Sequence, residues 1–197
     1  MAKQDLNKIF LSASIPYPDR DKKFYDTADI VAIRDAVRAL ATVVIPKAHL
    51  IWGGHPSITP LIRFVMERMN ADLKTHITLY QSLFFEDKFP EDNFAFENIV
   101  LTERRNTRGD SLEVMRNRLI GDNDFKAGIF IGGMEGINDE FVYFKEKHPN
   151  ALILPIASTG AAAKILYDSL NQQFDERLLN DYAYMAMFRH ILSDLLL

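Results

Sequence analysis

The sequence predicts an α/β protein with a three-layer Rossmann-like fold, in which helices cover both faces of a mainly parallel central sheet. Six short apolar segments alternate with segments of helical period along the 197 residues. Strands that are joined through helices pair in parallel by right-handed crossovers. The strands are almost continuously apolar, as expected for a sheet that is buried on both faces. We predict a single domain over residues 1–197, with a core at about 8–170 and a C-terminal helical tail at about 174–197.

The predicted strands are short, as strands in globular domains usually are. The last of them contains Pro155, which lacks a backbone donor for the sheet ladder. A proline in a strand indicates a position at or near the edge of the sheet. The six predicted strands cover residues 8–14, 49–54, 76–82, 98–103, 127–131 and 152–156.

Two of the predicted helices begin with capping signals. Thr59–Pro60 fits an N-cap followed by proline at the first helical position, and Asp110–Glu113 fits a capping box that opens a helix through Arg118. The segment 83–97 is rich in phenylalanine but has no period, so it predicts either a loop packed on the sheet or a lid over a site. The helix that begins after Thr59 runs through residues 61–70. The remaining predicted helices cover 29–45, 138–147, 160–170 and 176–196.

The composition excludes several classes of function. Because the chain has no cysteine, it has no disulfide, thiolate metal site or cysteine nucleophile. The net charge of −4 and the lack of a long basic run disfavour nucleic acid as a partner. No apolar run approaches the roughly 18 residues that span a bilayer, and the N-terminus lacks a signal-peptide layout. We therefore expect a cytoplasmic protein without a membrane partner. The five histidines lack the paired spacing of metal ligands, so we predict no metal and no cofactor.

Glycines and small hydroxyl residues follow the predicted strands. In a parallel sheet the carboxyl ends of all strands lie on one edge, which is where ligands bind. Glycine lets a backbone approach a ligand closely, and hydroxyls and helix N-termini suit phosphate or ribose oxygens. Each turn alone could equally be a tight strand-to-helix connection, but their recurrence along one edge favours a nucleotide-like ligand. The candidates are Ser12, Ser14, Gly53, Gly54, His55, Ser57, Thr59, Glu103, Gly132, Gly133, Ser158, Thr159 and Gly160.

Common nucleotide and hydrolase fingerprints are missing from the sequence. The GxGxxG pattern of dinucleotide-binding folds and the GxxxxGK[ST] pattern of P-loops do not occur. The GxSxG nucleophile elbow is also absent. A standard dinucleotide-binding site, a P-loop and the usual hydrolase nucleophile are therefore disfavoured.

The glycine turns resemble those of the SLOG superfamily. This superfamily includes the LOG phosphoribohydrolases, the Smf/DprA proteins and the sensor domains beside sirtuin-like and TIR effectors. The segment 52–56 (WGGHP) resembles the early glycine turn of LOG enzymes, and 132–140 (GGMEGINDE) resembles their PGGxGTxxE turn. The resemblance implies a Rossmann-like fold and a nucleotide or nucleotide-sugar ligand, with Met134, Glu135 and Gly136 among the ligand-binding residues. It also implies catalytic roles for Arg116, sixteen residues before Gly132, and for Glu140.

The chain also departs from the LOG pattern. Ile131 replaces the proline, Ile137 replaces the threonine, and one extra residue separates Gly133 from Gly136. With these changes the sequence resembles the effector-associated branch of the superfamily, which in antiphage systems such as Thoeris binds signals of the cyclic ADP-ribose type. The resemblance therefore implies a sensor of an NAD-derived nucleotide in bacterial antiphage defence, with an effector protein as partner. The alternative is an N-glycosidase or phosphoribohydrolase that acts on nucleoside monophosphates or NAD-like substrates.

Several charged or apolar residues keep two interpretations. Arg116 is either a solvated helix residue or a bidentate partner of phosphate. Glu140 is either a first-turn residue favoured by the helix dipole or a carboxylate that stabilises an oxocarbenium-like centre. The basic cluster Arg104, Arg105 and Arg108 forms either a solvated loop or a phosphate clamp, with Arg104 as a candidate ligand contact. The broad apolar stripe of residues 176–196 indicates core packing or a partner surface, and on it we predict a homodimer.

Overall fold

The computed structural model describes residues 6–19, 21–170 and 172–196, and residues 1–5, 20, 171 and 197 lie outside the described ranges. The described residues form one six-stranded sheet in which every pair of neighbouring strands is parallel. The predicted fold class is therefore confirmed. The strands are β1 (Lys8–Ser14), β2 (His49–Gly53), β3 (Ile77–Ser82), β4 (Ile99–Thr102), β5 (Phe125–Gly132) and β6 (Leu152–Ile156).

The strand order is β4-β3-β2-β1-β5-β6, so β6 with its Pro155 lies at an edge, as predicted. From β1 the chain builds the sheet in one direction through β2 and β3, and it later returns to build in the other direction through β5 and β6. Right-handed crossovers therefore place the helices of the two halves on opposite faces. The direction changes between β1 and β5, and a crevice is expected at the carboxyl ends of the strands at that point.

Helices cover both faces of the sheet and enclose two apolar clusters. On the first face Trp52 packs edge-on against Phe96 with ring centroids 5.1 Å apart, and on the second face Phe10 stacks on Phe144 at 5.3 Å. None of the helices in the described ranges is both long and apolar enough to cross a membrane. The first face carries α2 (Ile30–Val44), α3 (Thr59–Met66) and α8 (Tyr184–Ile191), the second carries α4 (Arg108–Gly121), α5 (Glu135–Lys147) and α6 (Ala161–Ser169), and the short helices are α1 (Lys22–Tyr25) and α7 (Arg177–Asn180).

Two predicted helix starts are wrong in detail. The side chain that caps α4 belongs to Thr107, whose hydroxyl accepts a hydrogen bond from Asp110 N at 3.1 Å. The helix therefore begins about one turn before the predicted capping box. Thr59 is the first residue of α3 rather than its cap, and its fully buried hydroxyl has no hydrogen-bond partner among the described residues. Asp29 does cap α2, through a hydrogen bond from Ala32 N at 2.8 Å.

The predicted single helix over residues 176–196 is also wrong, because residues 181–183 are not helical and separate α7 from α8. Asp181 accepts a hydrogen bond from Ala183 N at 2.7 Å, and such a local bond competes with the helical ladder. Most of the apolar stripe packs into the core through Tyr184, Met187 and Phe188. Tyr182 and Met185 remain exposed. The homodimer stays a prediction.

The segment without a period forms two short 3-10 helices, Leu83–Lys88 and Glu91–Ala95. Phe96 at its end is buried in the core beside β2, whereas Phe94 is exposed. The second 3-10 helix lies against α3 and the first against α4 and β3. The segment therefore contacts a helix on each face of the sheet. None of its residues lines the cavity described below.

Candidate functional site

A cavity of about 170 Å³ opens at the carboxyl edge of the sheet. It lies between the ends of β1 and β2 on one side and α4 and α5 on the other, next to the point where strand order reverses. In open α/β sheets this is the usual location of a ligand. The cavity is lined by Leu11, Ser12, Ala13, Ser14, Gly53, Gly54, His55, Arg108, Leu112, Met115, Arg116, Met134, Glu135, Gly136, Ile137 and Glu140.

Three side chains from β1, α4 and α5 meet in this cavity. Ser12 Oγ donates a hydrogen bond to Glu140 Oε2 at 2.5 Å. Arg116 Nη1 donates to Asp139 Oδ2 at 3.1 Å, and Arg116 Nε lies 3.6 Å from Glu140 Oε1. The side chains of Arg116 and Glu140 are only 20% and 17% exposed, so their charges interact with little screening by water. Gly136 makes room for this pair, because a Cβ there would lie 3.2 Å from Arg116 Nη2.

Burial has the largest effect on the pKa of Glu140. Burial raises the pKa of this carboxyl above its usual value of 4.5, whereas the Arg116 charge and the Ser12 hydrogen bond oppose that rise. Arg116 Nε is buried and has no hydrogen-bond partner among the described residues. The cavity thus contains a carboxyl group whose charge depends on its neighbours, next to a guanidinium with a spare donor.

The cavity also carries positive electrostatic features. Residues 134–137, at the N-terminus of the 13-residue helix α5, form part of the cavity wall. Met134 is the N-cap residue of this helix and makes no side-chain capping hydrogen bond. Unsatisfied N–H groups at such an end attract anions. Arg108, in the first turn of α4, and Arg116, two turns later, add two guanidinium groups. This combination suits a phosphate or another oxyanion.

His55 is held at the cavity by its neighbour Ser57. His55 Nδ1 accepts a hydrogen bond from Ser57 N at 3.3 Å and lies 2.8 Å from Ser57 Oγ. Ser57 Oγ in turn accepts a hydrogen bond from Ile15 N at 3.2 Å. Burial lowers the pKa of His55 to about 4, so the ring is neutral at neutral pH. Ser57 therefore positions a cavity residue rather than lining the cavity itself.

The second glycine turn lies behind the cavity wall. Gly132 and Gly133 are buried and have φ angles of +57° and +87°, a region that L-residues with side chains rarely adopt. A Cβ on Gly132 would overlap the side chain of Ile33, and one on Gly133 would overlap that of Ile137. These glycines allow close packing between β5 and its covering helices, and neither lines the cavity.

The predicted site residues after β6 are engaged inside the protein. Thr159 Oγ1 donates to Ile156 O at 2.6 Å and accepts from Gly132 N at 2.9 Å. Ser158 Oγ lies 3.1 Å from Tyr184 Oη. Gly160 has a φ of +68°, and a Cβ on it would overlap the carbonyl oxygen of the residue at position 27. We call the carboxyl edge of the sheet the rim. Its part after β6, at residues 158–160, is the closed half, and its part at the cavity, after β1 and β2, is the open half.

The predicted residues thus fall into two groups. Outside the cavity, Glu103 forms an exposed ion pair with Arg105, and the Arg104 guanidinium lies 5.5 Å from the Phe84 ring centroid. Thr59, Ser57, Gly132, Gly133, Ser158, Thr159 and Gly160 also lie outside it. The predicted residues that line the cavity are Ser12, Ser14, Gly53, Gly54, His55, Arg116, Met134, Glu135, Gly136 and Glu140.

The sequence-based candidates leave out the apolar cavity residues Leu11, Ala13, Leu112, Met115 and Ile137, and Arg108 is only one of several basic candidates. Leu112, Met115 and Arg108 are the ones contributed by α4. A signal for all three was present in the sequence. Residues 108, 112, 115 and 116 recur at the three- and four-residue spacing that places side chains on one face of a helix. In the described ranges no three His, Asp or Glu side chains lie close enough together to hold a metal ion.

No curated protein matches the sequence. The model of the SLOG cluster3 family matches residues 23–192, which include both glycine turns, Arg116 and Glu140 but not the strand that carries Ser12. The chain accordingly belongs to the SLOG cluster3 family.

Proposed function

We propose that the protein binds a nucleotide-derived ligand in this cavity and acts as a sensor of an NAD-derived or cyclic ADP-ribose-like signal. One observation carries the proposal: Arg108, Arg116 and the uncapped N-terminus of α5 converge on a cavity at the carboxyl edge of the sheet. Guanidinium groups bind phosphate through paired hydrogen bonds, and helix N-termini add unsatisfied N–H groups. Membership of a SLOG family supports a ligand of the nucleotide class.

The sequence of the later glycine turn supports sensing over catalysis. Ile131 and Ile137 stand at the positions where the LOG pattern has proline and threonine. In the folded chain Ile137 fills the space beside Gly133, so it has a packing role at that position. With these two substitutions the turn resembles that of the effector-associated SLOG branch. The resemblance supports a role in bacterial antiphage defence, in which the bound signal is relayed to an effector protein. A homodimer formed in part by the exposed Tyr182 and Met185 belongs to the same proposal.

Thermal unfolding in the presence of AMP, NAD, ADP-ribose and cyclic ADP-ribose tests ligand binding. A ligand at 100 times its Kd stabilises the folded state by about 2.7 kcal/mol. At this chain length we expect a rise in Tm of roughly 5–10 °C. Chromatography of the mixture afterwards should recover the ligand intact. If none of the four compounds raises Tm, nucleotide binding is wrong.

Arg116→Gln tests whether the cavity is the binding site. Removal of a charged hydrogen-bonding partner costs about 1.5–3 kcal/mol, so we expect an affinity loss of roughly 10- to 100-fold. Arg118→Gln is the matched control, because Arg118 lies on the same helix, is half exposed and pairs with Asp122 outside the cavity. Equal losses in both variants would place the ligand elsewhere.

A second candidate function is hydrolysis of an N-glycosidic bond. The observation that favours it is the buried Glu140, which receives a hydrogen bond from Ser12 and lies beside Arg116 in the cavity. A carboxylate in this setting stabilises the positive charge that develops on a sugar as the base leaves. Release of free base from AMP or NAD would establish the enzyme. Glu140→Gln should then abolish release, whereas Glu146→Gln, on the exposed side of α5, should leave it unchanged.

A further inference from the structure

The volume of the cavity limits how much of a nucleotide it can enclose. It measures about 170 Å³, whereas pockets that bury a whole drug-sized ligand measure roughly 300–1,000 Å³. Four charged side chains line this space, those of Arg108, Arg116, Glu135 and Glu140. A sugar-phosphate group therefore matches the cavity in both size and polarity, and an attached base must lie outside it.

An aromatic pair lies directly beside the cavity. The rings of Tyr17 and His55 have centroids 5.9 Å apart and planes inclined by 31°. His55 lines the cavity, and Tyr17 belongs to the loop that follows β1 on the same edge of the sheet. Tyr17 is 39% exposed, although tyrosine side chains usually bury much of their ring. An exposed aromatic ring next to a polar cavity offers a stacking surface for a planar group.

The hydrogen bonds of His55 define what its ring presents. Because Ser57 N donates to His55 Nδ1, that nitrogen carries a lone pair and the neutral ring has its proton on Nε2. Ser57 is itself fixed by the hydrogen bond from Ile15 N, two residues before Tyr17. The loop that carries Tyr17 and the turn that carries His55 are thus tied together, so the two rings form a preorganised surface.

We infer that Tyr17, backed by the neutral ring of His55, is the subsite on which the base of the ligand stacks, while the cavity takes the sugar and phosphate. The inference rests on the proposed function and assigns the ligand a planar heterocycle. Stacking is sequence-tolerant, since every nucleobase has a π-face. The His55 Nε2–H group supplies one donor for a ring nitrogen or carbonyl oxygen of the base.

Isothermal titration calorimetry with AMP and with ribose 5-phosphate separates the two parts of the site. For Tyr17→Ala we expect AMP to bind about 5- to 100-fold more weakly, as for loss of one stacked base, and ribose 5-phosphate to bind within about two-fold of the original affinity. Tyr17→Phe keeps the ring and should retain AMP affinity. Tyr25→Ala is the matched control, because Tyr25 is 38% exposed and lies on α1 away from the cavity lining.

The outcomes distinguish this inference from the proposal on which it rests. If the original protein binds both compounds and Tyr17→Ala leaves AMP affinity unchanged, or weakens both compounds equally, the stacking subsite is wrong and the cavity assignment stands. If the original protein binds neither compound, the stacking subsite is wrong, and the proposed function fails with it only if NAD, ADP-ribose and cyclic ADP-ribose do not bind either. Selective loss of AMP affinity in Tyr17→Ala alone supports the inference.

Discussion

Ser12 and Thr159 both follow the pattern of a small hydroxyl residue at the carboxyl end of a parallel strand, but their surroundings differ. Ser12 lies in the open half of the rim, at the cavity, and its hydroxyl donates a hydrogen bond to Glu140, whose pKa is raised by burial. Thr159 lies in the closed half, after β6, and its hydroxyl bonds to two backbone groups, Ile156 O and Gly132 N. In the closed half the hydroxyl groups therefore serve the fold, whereas in the open half polar groups remain for a ligand.

The closed half is covered by the chain that precedes α2. Asp29 N donates to Thr159 O at 3.2 Å, and the backbone at position 27 packs against Gly160. Buried backbone donors and acceptors must be paired, and here the protein pairs them itself. Composition alone does not separate a packed turn from a binding turn. A packed turn is distinguished by hydrogen bonds within the protein that pair its polar groups, as they do at Thr159.

Gly160→Ala should have the largest effect on stability, because it places a Cβ in the closed half against backbone rather than against a mobile side chain. The backbone conformation of φ +68° and ψ −155° is nearly restricted to glycine. Strain and overpacking together should lower the free energy of unfolding by roughly 3 kcal/mol or more. Urea denaturation measures this loss.

Gly109→Ala is the control for that substitution. A Cβ at Gly109 would meet Thr107 Oγ1 at an ordinary 3.7 Å, and the residue lies within α4. Alanine is the better helix former, so this variant should be neutral or more stable by up to about 1 kcal/mol. A Gly160→Ala protein as stable as the original would contradict the tight packing of the closed half.

Thr159→Val should have an intermediate effect and separates stability from binding. The substitution keeps the side-chain shape but leaves Gly132 N–H without its buried acceptor, at a cost of about 1–3 kcal/mol in unfolding free energy. AMP affinity should stay within about two-fold, since Thr159 does not line the cavity. Thr75→Val, which removes an exposed local hydrogen bond, should change stability by less than about 0.5 kcal/mol. A large loss of affinity in Thr159→Val would mean that the closed half takes part in binding.

The sequence predicts the sheet well because its apolar strands, alternating with helical segments, are local signals. It also predicts the carboxyl rim, because a parallel topology brings the carboxyl ends of all strands to one edge. It does not predict which end of the rim is open. That depends on contacts between distant segments, such as Thr159 with Gly132 and Gly160 with the backbone before α2. The sequence does not predict the cap of α4 at Thr107 either, because several neighbouring residues can act as caps. The start of α3 is not predicted because this helix begins after Ile58 without a side-chain cap.

The pH dependence of stability should show the smallest effect, and it compares the two ends of β2. Burial lowers the pKa of His55, at the open rim, and of His49, at the opposite end of the strand, to about 4 from about 6.5. Because the folded state favours the neutral rings, their contribution to stability is complete above pH 6.5 and is lost as the pH falls towards 4.

Replacement of either histidine by asparagine should flatten the fall in unfolding free energy between pH 6.5 and pH 4. The full change in pKa corresponds to about 3 kcal/mol, and because both rings are partly exposed to solvent we expect on the order of 1–2 kcal/mol for each residue. The two variants should differ once a nucleotide is present. Only His55 lines the cavity, so only His55→Asn should also change AMP affinity, whereas His49→Asn should leave it within about two-fold. Urea denaturation across this pH range and calorimetry at pH 7 give both quantities, and an equal change of affinity in the two variants would contradict a ligand confined to the open half of the rim.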